Sequence, residues 1–163
     1  MIHLPPNDFS GRDLSRPSVF LAGSIEMGAA ELWQDRAGAA LDAAGMDVFN
    51  PRRPDWDSSW AQDITNIHFF RQVKWEMDAL DAADQIVMYF DPATKSPISL
   101  LELGLHAASG KMSVVCPEGF WRKGNVDCVC DRFSIPQYAT LDEMLAAAIG
   151  RASARLTRLD VKY

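Results

Sequence analysis

Two glutamates stand where helices normally present apolar side chains. Glu102 lies among Leu100, Leu101, Leu103 and Leu105 in the run SPISLLELGLHAASGK. At about 100° per residue it falls beside Ile98, Leu105 and Ser109, on the face that such a helix lays on a sheet. A carboxylate there is costly to desolvate unless something binds it. Either it serves a ligand, or it reaches the helix edge and is solvated or caps a neighbouring loop. Glu76 lies roughly 70° from the centre of a stripe made by Phe69, Phe70, Val73, Met77 and Leu80, and Gln72, four residues earlier, shares its face. Asp78 lies farther out, roughly 130° from that centre, where a solvated position is expected.

Other polar groups gather in predicted turns. Gly23 and Ser24 follow the apolar run Ser18–Ala22. Gly23 permits close backbone approach to a ligand, and the Ser24 hydroxyl can bond one. The alternative is a tight turn and nothing more. The segment AGSIEMG lacks GxGxxG spacing, so a dinucleotide fingerprint is absent. The loop Asn50–Trp60, NPRRPDWDSSW, holds two arginines, two aspartates and two tryptophans. Asp55 and Trp56 within it suit a flat, polar ligand, the ring stacking and the carboxylate bonding sugar hydroxyls. An internal Arg–Asp pairing that holds the loop's shape is the competing reading.

These residues need a scaffold. Ser18–Ala22, Met46–Phe49, Asp84–Phe90, Met112–Cys116 and Phe133–Ile135 read as short strands. Helical spacing covers Ala29–Ala44, ended by Gly45, and Ile64–Ala82. Ser96-Pro97 reads as an N-cap and first helical position, and Gly110 closes that helix. Pro117–Asp131 reads as irregular, and Thr140 caps a last helix from Leu141 to about Ala154. Strands alternating with helices predict a three-layer, flavodoxin-like (Rossmann-like) α/β domain with a five-stranded parallel sheet. Residues 1–17 read as a loose arm and 18–163 as one domain. The C-terminal strand edge would gather Gly23-Ser24, the Asn50–Trp60 loop, Asp91–Ser96 and Pro117–Asp131, because open α/β sheets bind ligands there.

The totals narrow the function. The chain has 163 residues, 48% hydrophobic and 23% charged, an ordinary globular composition. A net charge of -6 argues against nucleic acid as a partner, though not against a small nucleoside. No apolar run of about 18 residues predicts a membrane span, and the N-terminus lacks the pattern of a secretory signal. Cys116, Cys128 and Cys130 have no partners at zinc spacing. Reduced thiols in a cytoplasmic protein are expected, with no metal and no cofactor.

Together FLAGSI, NPRRPDW, WEMDALDAADQIVMYF and SPISLLELGLHAASGK resemble the nucleoside 2-deoxyribosyltransferases, from about Ser18 to Cys116. The resemblance implies that Glu102, just before Leu-Gly, is a nucleophile. It attacks the anomeric carbon of a 2-deoxynucleoside and gives a covalent sugar intermediate, which a second nucleobase takes over with net retention. A carboxylate suits that chemistry, as in retaining glycosidases. The family places an acidic proton handler eight residues before the aspartate that opens the third strand, which here is Glu76, with Asp78 as fallback. Ser96 matches a polar sugar-side residue. Glu26 stands where related nucleotide N-glycosidases carry a phosphate-binding arginine, which favours nucleosides over 5′-monophosphates. The family often completes each site from a neighbouring subunit. Asn125 is the nearest candidate here, and Tyr163 matches a C-terminal tyrosine that some members bring into the site. The implied partners are therefore nucleosides, nucleobases and further copies of the chain, as a dimer or higher. A hydrolase on the same scaffold and a non-catalytic nucleotide-binding module are the alternatives.

Overall fold

The computed structural model describes residues 1–25 and 32–160, the last three by backbone alone. Five strands form one all-parallel sheet: β1 (Ile2–His3), β2 (Ser18–Gly23), β3 (Asp47–Phe49), β4 (Gln85–Tyr89) and β5 (Met112–Val115), in the order β1-β3-β2-β4-β5. Around it lie α1 (Trp33–Ala43), α2 (Ile67–Ala82), α3 (Pro97–His106), α4 (Lys123–Phe133) and α5 (Leu141–Asp160). The fold is thus the expected three-layer, flavodoxin-like α/β arrangement.

Side-chain alternation along the strands builds two cores. Phe20, Ala22, Ile86 and Met88 pack with Trp75, Leu80, Leu103, Val126 and Cys130 of α2, α3 and α4. Val19, Leu21 and Val87 pack with Trp33, Leu41, Met144 and Ala148 of α1 and α5. A strand buried on both faces has few polar positions to spare, which is why β2 and β4 read as continuous apolar runs. The chain leaves β3 on one side of β2 and returns as β4 on the other. The C-terminal ends of β2 and β4 therefore flank the crevice that doubly wound sheets use for ligands.

The fifth strand is not the expected one. The arm supplies it: β1 pairs with β3, with Val48 donating to the Met1 carbonyl (2.8 Å) and Asn50 to the His3 carbonyl (3.0 Å). This covers an edge that would otherwise expose unpaired backbone groups. Phe9 then wedges edge-on against Phe49 (4.8 Å) and Trp75 (5.7 Å), and Trp75 donates to the Asn7 carbonyl. The arm is tied down rather than loose; two residues of strand carry too little period to be seen in sequence.

At the other edge, Phe133 ends α4, and Ser134 turns left-handed (φ 54°), so the predicted strand Phe133–Ile135 is a helix cap. Pairing there shrinks to one bridge, Gln137 to Val114. Much of the predicted irregular stretch Pro117–Asp131 is α4 itself. Val126 and Cys130 face the core four residues apart, a spacing obscured by Gly124 and Asn125. The first turn predicted at Ala29 falls partly outside the described residues, and Glu26 and Tyr163 lie outside them.

No helix among the described residues is long and apolar enough to cross a membrane. The three cysteines are free thiols. Burial pushes Cys116 up to about 12 and Cys130 up to about 11, so both are unreactive at neutral pH.

Candidate active site

The two glutamates come from neighbouring helices on one side of the sheet. The burial of each helix differs from the wheel expectation. On α3 the sheet takes Ser99 and Leu103, and Ile98, Leu101 and Leu105 are exposed. On α2 it takes Gln72, Trp75, Ala79 and Leu80, and Phe70 and Met77 are exposed. Tertiary packing chose the face with Trp75, the bulkiest ring, instead of the face with the most apolar residues. Glu76 and Glu102 consequently sit at the margins of their buried stripes, crowded by protein yet partly open to solvent.

The two carboxyl groups are electrostatically coupled. Burial raises Glu76 to about 7, and the hydrogen bond from Gln72 only partly offsets that. Burial first, and then the negative charge of Glu76, raise Glu102 to about 8. Two desolvated carboxylates that feel each other resist ionising together, so one proton is retained by the pair near neutral pH. Carboxyl groups raised in this way are suited to acid–base and covalent work.

Gln72 contributes more than its shared face suggested. Its Nε2 donates to Glu76 Oε1 (2.8 Å) and to the Pro51 carbonyl (3.0 Å), tying the carboxylate to the start of the 50–60 loop. The opposite atom, Gln72 Oε1, is buried and has no hydrogen-bond partner among the described residues.

A second cluster welds the strand ends together. Ser24 Oγ lies 2.8 Å from Thr94 Oγ1 and 2.6 Å from Ser96 Oγ, and Thr94 and Ser96 are 2.7 Å apart. Asp91 donates its backbone N–H to Ser24 Oγ, and the Ser24 carbonyl accepts from Trp33 and Gln34. The Ser24 hydroxyl, expected to meet a ligand, is wholly buried and engaged in this cluster. Ser96 heads α3, but with no side-chain cap bond and with a left-handed backbone (φ 47°). Such a conformation costs about 1–2 kcal/mol in a non-glycine residue and persists where surroundings enforce it. The expected cap is thus replaced by a strained residue held by two hydroxyls. Thr94, also buried, was not marked by any motif; only its place in this cluster identifies it.

Gly23 is required on geometric grounds. Its φ is 131°, and a Cβ there would stand 2.1 Å from the Tyr89 carbonyl oxygen. We expect Gly23→Ala to destabilise the fold by about 3–5 kcal/mol. At about 2–4 °C per kcal/mol for a chain of this size, calorimetry would record a fall in Tm of about 10 °C. An unchanged Tm would mean that β2 and β4 separate easily, and the welded crevice would be wrong.

The remaining expected residues have other partners in the structure or face solvent. Asp55 pairs with Arg53, the internal arrangement, and is exposed. Trp56 meets Trp60 edge-on (5.1 Å), and Trp60 stacks on His68 (4.9 Å, 16°) with the Arg53 guanidinium 5.5 Å from its ring centre. These rings form an aromatic corner on the 50–60 loop. Asp78 pairs with Lys74 (2.6 Å) on the outer face of α2, as expected of a solvated position. Asn125 is exposed on α4. Among the described residues, no three His, Cys, Asp or Glu side chains gather as a metal site.

Residues 16–120 match the family model described as nucleoside 2-deoxyribosyltransferase like. The matched span covers β2 to β5 and both glutamates. No curated protein matches the chain.

Proposed function

Because the chain belongs to the nucleoside 2-deoxyribosyltransferase-like family, we propose that it moves 2-deoxyribose from one nucleobase to another through a covalent bond to Glu102. The observation that carries this reading is the coupled pair: a nucleophile and a proton carrier, both raised toward neutrality, on adjacent helices.

The steps follow from the charges. A Glu102 oxygen attacks the anomeric carbon as the C–N bond breaks, and that bond's electrons leave with the base. Glu76 gives its proton to the departing base nitrogen. Positive charge developing on the sugar favours an ionised Glu102 beside it, which leaves the shared proton on Glu76. An incoming base then attacks the same carbon, the ester C–O bond breaks, and the base's proton passes to Glu76. Two displacements give retention. The absent 2-hydroxyl removes an electron-withdrawing group and eases the cation-like transition state. Gly23, Ser24 and Ser96 position the crevice, Trp56 and Asp55 border its loop side, and Asp78 has a surface role only. Nucleosides, not 5′-monophosphates, are the proposed substrates.

The reading extends to a homo-oligomer of two or more copies, with Asn125 as the residue offered to a neighbouring site. Exposed apolar stripes support it: Ile98, Leu101 and Leu105 on α3, and Ile67, Phe70 and Met77 on α2.

One observation favours a second outcome. Glu102 keeps part of its surface open, and water entering there would hydrolyse the intermediate. Incubation of one deoxynucleoside with and without a foreign base, read by chromatography, separates the two. A new deoxynucleoside is expected; free deoxyribose alone identifies the hydrolase, and no reaction with any base defeats both.

A further inference from the structure

At the opposite end of the sheet, a cavity of about 320 Å³ opens between the N-terminal ends of β2, β4 and β5 and the helix α5. Pro17, Met112 and Pro136 give it apolar walls, and Lys111, Arg151 and Arg155 line it with a single carboxylate, Asp84. Asp84 is already engaged: it pairs with Arg155 and accepts from the Ser18 backbone and hydroxyl. These bonds hold its carboxyl below the usual range against the opposing push of burial.

Two positive charges are left over. Arg151 is held by neutral groups only: Nε donates to Gln85 Oε1 (2.8 Å), Nη1 to the Tyr138 hydroxyl (3.2 Å) and Nη2 to Ser113 Oγ (2.6 Å). These contacts fix the fork without cancelling its charge, and two of its five N–H groups have no partner among the described residues. Lys111 donates from Nζ to the Asp81 backbone carbonyl (2.7 Å), again a neutral partner. Neither cation has a carboxylate within ion-pair distance among the described residues. In a chain of net charge -6, an uncompensated and preorganised cation pair around a cavity is against the prevailing field.

We propose that this cavity binds a phosphate dianion, free or as the phosphate of a small ester. A guanidinium fork matches phosphate oxygens in bidentate geometry, and an ammonium adds a point charge. A dianion neutralises both cations, whereas a monocarboxylate leaves one uncompensated. The apolar walls suit the carbon portion of an ester. This site stands apart from Glu102 and does not depend on the transferase reading.

The test uses the whole chain with inorganic phosphate and, separately, glycerol 2-phosphate, each against sodium chloride of equal ionic strength. About 10 mM phosphate is expected to raise Tm by about 3 °C over the chloride control. Titration calorimetry should show saturable binding to match. Lys111→Gln, which removes a cation but no core contact, should lose most of that rise, and Arg151→Lys should weaken binding by about tenfold. Glu102→Ala should bind phosphate as the parent does. Tighter binding of the ester identifies an ester site; tighter binding of the free ion identifies an inorganic one. No gain over chloride for either probe, or the same gain in Lys111→Gln, overturns the proposal.

Discussion

Glu102→Gln is expected to lose base exchange by a factor on the order of 10⁴ or more, because no other group replaces a covalent nucleophile. The same variant should be more stable than the parent at pH 8. The sign follows from the proton balance. The Glu102 carboxyl titrates at about 8 in the fold, against an ordinary value of 4.5. Between those values the folded chain holds more protons than the unfolded chain, so stability falls as pH rises from about 4.5 to 8. A glutamine has no charge to bury. The gain at pH 8 is on the order of 2 kcal/mol, reduced from the full shift by solvent reaching the carboxylate. Calorimetry should find Tm higher by about 2–4 °C per kcal/mol, with the difference vanishing below the ordinary value of 4.5. An inactive variant that melts lower at pH 8 would point to a structural glutamate. A variant exchanging bases at the parent rate would end the covalent mechanism.

Glu76→Gln is expected to slow exchange by about 10²–10⁴-fold, the usual contribution of a positioned acid–base group. A second effect is independent of activity. The negative charge of Glu76 is one of the two causes that raise Glu102. Removing it should bring Glu102 down from about 8 toward the ordinary carboxylate range, while burial keeps it above 4.5. Carboxylate-labelled NMR titration of the free protein reads this directly. In the parent, exchange should be fastest where the pair carries one proton, around pH 7 to 8, and fall on both sides. In the variant, the acid limb should move to lower pH as Glu102 ionises more easily. A Glu102 titration that does not move would show that the two carboxylates do not interact, and the division of labour between them would fail.

How far the sequence reached differs between scaffold and site. The apolar runs at Ser18–Ala22, Asp84–Phe90 and Met112–Cys116 mark strands because burial on both faces demands an uninterrupted apolar run. Glu102 was visible as a carboxylate among leucines, and Glu76 as an acid that shares a face with Gln72. Those signals are local, and short-range periodicity carries them. The helix faces were misjudged for the same reason. A wheel sums hydrophobicity around one helix, whereas tertiary packing buried Trp75 and Leu103 and left Phe70, Met77 and Leu105 outside.

What sequence alone determined was therefore the layer order and the central strands, and it singled out the two carboxyl groups on which the proposed function rests. Only the tertiary structure decided that the arm closes the β3 edge, that Ser24, Thr94 and Ser96 lock the crevice, and that Gln72 holds Glu76. It also set the two carboxyls above their ordinary range. Each of these depends on groups tens of residues apart or on helices meeting across a core. Burial and charge coupling act through space, and no spacing along the chain encodes them.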